Sequence, residues 1–66
     1  MDKVQLMYDL EKVSLELDIL IKHARILAVQ MDVDEYSMMD TSGNLIMAPL
    51  VTAKAHALAS IALLHG

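Results

Sequence analysis

From Leu6 to Met31 the apolar residues fall at Leu6, Leu10, Val13, Leu17, Leu20, Ala24, Leu27 and Met31, in steps alternating four and three without a miss. That is the heptad rule of a helix that packs along its length against other helices. In a chain of 66 residues this one run dominates the architecture. It predicts an all-α protein and says how the chain associates, but it names neither a partner nor a reaction.

Neither Gly nor Pro occurs before Gly43, so nothing interrupts the first helix, and Asp2 is placed to cap its N-terminus. The pattern predicts a helix over about 2–33, a rod of roughly 45 Å. Pro49 suits a first helical turn, where its missing N–H has no partner to lose. It opens a second, Ala-rich helix over about 49–65, roughly 25 Å long. Between them, 34–48 is a structured connector turning at Asp40-Thr41-Ser42-Gly43-Asn44. Its flanks, Tyr36-Ser37-Met38-Met39 and Leu45-Ile46-Met47, read as short extended arms of a small β-hairpin or an ordered loop. The expected fold is a helical hairpin in a single domain, 1–66, with the second helix covering only the C-terminal half of the first.

A chain this short hides about 60% of its unfolded surface and needs outside help to be stable. It has no cysteine, which removes disulfides, and three histidines without a thiol do not suggest structural zinc. No metal and no cofactor are expected. Self-association remains, so the hairpin is expected to dimerise into a four-helix bundle through Leu6, Met7, Leu10, Val13, Leu17 and Leu20. Ile19, Ile26 and Val33, seven apart, form a further apolar row on the same helix.

Nine acidic against five basic residues give a net charge of −4, which disfavours nucleic acid and anionic membranes as partners. The most apolar stretch, 50–64, contains Lys54 and His56 and is shorter than the roughly 20 residues a membrane span needs. Met1-Asp2-Lys3 has neither the basic region nor the apolar core of a signal peptide, and a cytoplasmic protein is expected.

Chemical motifs are sparse. His23, His56 and His65 lack a helical ligand spacing. Asp32, Asp34 and Asp40 suggest calcium, but counting from Asp32 puts Ser37 where an EF-hand needs Gly and Gly43 where it needs Glu. Asp40-Thr41-Ser42-Gly43 places its glycine one position late for the Asp-Thr-Gly of aspartic proteases. Ser14-Leu15-Glu16-Leu17-Asp18 resembles the Ser-x-x-Leu-Asp signature of the small two-helix phosphatases acting on sporulation response regulators. The resemblance implies an aspartyl-phosphate phosphatase working through Ser14 and Asp18; in that family the motif opens the second helix, whereas here it lies inside the first. Lys22, His23, Arg25 and Lys54 suggest another alternative, an oligomeric sponge for a charged nucleotide signal.

Tyr36, Met38, Met39, Leu45 and Met47 cluster in or beside the connector. Methionine adapts to varied partners and tyrosine anchors interfaces, so these are the expected partner-binding residues. The function expected is therefore a small non-enzymatic regulatory protein that binds an unidentified target protein and modulates or inhibits it. In shape it is like an anti-activator or a phage-encoded host-takeover inhibitor.

Overall fold

The computed structural model describes residues 2–66. It is a helical hairpin: α1 (Lys3–Gln30), a single 3₁₀ turn at Glu35–Ser37, and α2 (Met47–His65) packed back along α1. No strand forms among the described residues, 77% of which are helical.

Each boundary has a local cause. Asp2 caps α1 by accepting from the Val4 N–H at 3.1 Å. At the other end the Val33 N–H reaches Ala28 O and the Asp32 N–H reaches Val29 O, a Schellman closure. Its left-handed position is filled by Asp32, at φ 55°, so the helix stops at Gln30 instead of running on to 33. α2 begins at Met47, two residues before Pro49. Pro49 still lies in the first turn, where its missing N–H costs nothing.

The connector is ordered by two aspartates. Asp34 caps the 3₁₀ turn through the Tyr36 N–H at 3.3 Å. Asp40 accepts from the backbone N–H groups of Ser42 and Asn44 at 2.8 and 2.9 Å, and Gly43 takes the positive φ of 81° that the reversal requires. One antiparallel bridge, Met39 to Leu45, flanks this turn. Of the two expected forms, the connector takes that of an ordered loop carrying a single β-bridge.

The seam between the helices follows a different register from the one hydrophobicity picks out. On α1 the shielded side chains descend through Leu10, Ser14, Leu17, Ile21, Ala24 and Ala28, with Leu6 and Met7 at the top. On α2 they are Met47, Leu50, Lys54, Ala57, Ile61 and Leu64. Both series step by three and four. Leu10, Leu17 and Ala24 belong to the expected run, but Val13, Leu20, Leu27 and Met31 are exposed, between 44% and 53%. Ser14, Ile21 and Ala28 take their place in the seam. The reason is size: Ser14, Ala24, Ala28 and Ala57 let the two backbones approach, which a row of Leu and Val does not.

The expected coverage also needs correction. Lys54 forms an ion pair with Asp18, and Leu6 and Leu10 border one groove with Ser60, Leu63 and Leu64. α2 therefore reaches back to the start of α1, and its N-terminal half is not left bare. The far end of α1 is closed by the connector, where Arg25 bonds Glu35 at 2.6 Å.

The core lies at that connector end. Met38 and Met47 fill the space beside Ile21, Ala24 and Ala28, with Ile46 and Leu50 packed around them. Among the described residues, Ile21, Met38 and Met47 are the only buried apolar residues larger than alanine.

Candidate functional site

The expected binding cluster in the connector is divided by the fold. Met47 is wholly buried and Met38 is 3% exposed, so both belong to the core of the hairpin. Tyr36, Met39 and Leu45 are about half exposed and remain on the surface. The sequence groups all five because they are neighbours in the chain. The Asp40 turn separates them by folding the arms over the end of the helices.

The expected dimer residues are divided in a similar way. Leu6, Met7, Leu10 and Leu17 are half-buried against α2, whereas Val13 and Leu20 face outward. Leu6, Val13, Leu20 and Leu27 are seven apart and form one ridge along α1. Leu6 belongs both to this ridge and to the groove with Ser60 and Leu64, so the ridge stands on that flank of the hairpin. On α2 the same flank continues through Ala53, His56 and Ser60. It opens into a shallow depression, open to solvent, lined by Leu45, Ala48, Pro49, Thr52, Ala53 and His56. Asp18 and its partner Lys54 lie on the other flank, since Asp18 points about 200° away from Leu20 around the helix.

A second apolar stripe runs down the back of α1. Val4, Tyr8, Leu15, Ile19, Ile26 and Val29 are all more than half exposed. Sequence reading found the Ile19–Ile26–Val33 part of it but not Val4, Tyr8 and Leu15. Their signal is heptad spacing as well: Tyr8, Leu15 and Val29 share a column with Lys22. α2 adds an exposed Val51 and Leu58 on the flank of Lys54.

The polar candidates are tied into the fold. Ser14 is 7% exposed in the helix seam, and Asp18 is engaged by Lys54. Of the two residues the phosphatase resemblance implicates, Ser14 is shielded and Asp18 is about a third exposed beside Lys54. Of the four basic candidates for anion capture, Arg25 is held by Glu35, which raises its pKa by hydrogen bonding and charge, and Lys54 is held by Asp18. Lys22 and His23 stay exposed on α1. His23, His56 and His65 are exposed, and among the described residues no three His, Cys, Asp or Glu side chains gather into a metal site.

α2 is long and apolar enough to cross a membrane by length and composition, with 11% of it buried in the hairpin. The apolar stretch over 50–64 is therefore mostly left uncovered by α1. The chain matches no protein-family model, no curated protein and no solved structure.

Proposed function

We propose that this chain is a small non-enzymatic regulatory protein that works as a homodimer and binds another protein to modulate or inhibit it. The observation that carries this reading is the distribution of apolar surface. Large apolar side chains are more often exposed than buried, and they are organised into stripes on two sides of α1 and a patch at the connector end. Exposed apolar stripes of this extent mark surfaces that protein or membrane covers, and the net charge of −4 disfavours an anionic membrane. One symmetric contact occupies one flank and leaves Tyr36, Met39 and the back of α1 free for a target. Ser14 in the seam and Asp18 in its ion pair support a binding role over a catalytic one.

The test is affinity capture from a cell lysate with the wild-type chain beside a Tyr36→Ala/Met39→Ala variant and a Leu15→Asp/Ile19→Asp variant. The expected result is one stoichiometric protein retained by the wild type and lost with one of the variants. The same bound proteins on all three baits would overturn the reading.

A further inference from the structure

We infer that the second copy seats on the flank bearing Leu6, Val13, Leu20 and Leu27, with α1 of each protomer lying antiparallel along α2 of the other. The inference rests on the homodimer proposed above and assigns its face and its register.

The area argues for a second copy. A compact monomer of 7.3 kDa exposes about 4,200 Å². This hairpin exposes 4942 Å². The excess of roughly 750 Å² is close to the ~800 Å² that each partner contributes to a stable interface. The cause is shape. The molecule measures 44 × 18 × 17 Å, with a radius of gyration of 14.4 Å, against about 10.8 Å for a compact chain of its length. Two such rods side by side restore a compact body.

The flank is complementary to itself. Its α1 side is a ridge of large aliphatic residues, and its α2 side is a groove floored by small ones, Pro49, Ala53 and Ser60. A dyad parallel to the helices keeps each residue at its own height. The register set within the hairpin by Asp18 and Lys54 then holds between copies as well. Leu20, two residues beyond Asp18, is level with Thr52, two before Lys54, and enters the hole between Pro49, Ala53 and His56. Leu27, one heptad further along the ridge, faces the end of the same depression, which Leu45 borders. Glu16, on the outer edge of the ridge, comes level with His56 of the other copy. A dyad across the helices would instead set ridge on ridge and leave both grooves empty.

The test combines mass in solution with cross-linking, which the absence of native cysteine makes clean. Wild type is expected at twice 7.3 kDa by light scattering at tens of micromolar. Leu20→Asp/Leu27→Asp is expected at the monomer mass, with helical circular dichroism retained because both side chains are exposed in the hairpin. Leu15→Asp, on the back of α1, is expected to remain dimeric. Mixed Leu20→Cys and Ala53→Cys chains are expected to form a cross-linked pair, and Leu20→Cys alone is not.

A monomeric wild type overturns the inference, and one that floats with phosphatidylcholine vesicles puts a bilayer on this face instead. A dimer lost with Leu15→Asp and kept with Leu20→Asp/Leu27→Asp overturns the choice of face. Cross-linking of Leu20→Cys to itself overturns the register. A monomer that still captures a target leaves the regulatory reading standing, whereas a dimer that captures nothing defeats only that reading.

Discussion

Lys54 of α2 reaches across the hairpin to Asp18 of α1, the one ion pair between the two helices among the described residues. Both side chains are about a third exposed, so the pair sits at the edge of the seam and its energy is modest. Its value is positional. Apolar seams with a three–four repeat slide by a heptad at little cost, and a single charged pair singles out one alignment.

Asp18→Ala and Lys54→Ala are each expected to cost up to about 1 kcal/mol in urea unfolding. The exchanged variant, Asp18→Lys with Lys54→Asp, should recover most of that loss. If the single variants lose nothing and the exchange brings no recovery, the pair does not set the register. A binding role also requires that Asp18→Ala leave target capture intact.

Met47 is the side chain on which the connector end depends. Met47→Ala leaves a cavity among Ile21, Ala24, Ala28 and Met38 and is expected to cost about 2–5 kcal/mol. Tyr36→Ala, from the same stretch but exposed, should stay within about 0.5 kcal/mol. Equal losses in thermal melts would mean that the two residues are buried alike.

Asp32 holds a left-handed conformation that glycine adopts without strain. Asp32→Gly is expected to gain a few tenths to about 1 kcal/mol, part of the gain being offset by the freer unfolded chain. Asp32→Val, with a branched Cβ at the same position, should lose about 1 kcal/mol or more. Denaturation midpoints that rank Val above Gly would place the α1 stop elsewhere.

Asp40 has its pKa lowered from 3.8, foremost by the backbone hydrogen bond from Asn44. A depressed carboxylate adds stability that is fully present above its unfolded pKa and is lost as pH falls through the lower folded value. Thermal melts of wild type and Asp40→Ala should therefore differ at pH 6, and the gap should close as the pH falls from 3.8 through the lower folded value. A gap that persists unchanged to low pH would show that the carboxylate charge is not what orders the turn.

The helices, the Asp2 cap and the turn at Asp40–Asn44 are legible in the sequence because each rests on local chemistry. Which face of α1 meets α2 is not. Leu10, Leu17 and Ala24 are common to two heptad series, one completed by Val13, Leu20 and Leu27 and the other by Ser14, Ile21 and Ala28. Hydrophobicity favours the first series, because transfer energy rises with side-chain size. Close approach favours the second, because dispersion gains need backbones near one another and small groups between them. The buried state of Met38 and Met47 is hidden for a related reason. Their position depends on how the connector folds over the helix ends, and spacing along the chain does not record that.

The small number of fully buried large side chains, three among the described residues, bears on how long such a chain survives. Proteases cut what is open in proportion to its population. Anything that binds the closed form lowers that population by mass action. Under the binding role proposed above, the lifetime of the protein in a cell would follow how much of its occupant is present, with surplus copies cleared while engaged ones persist.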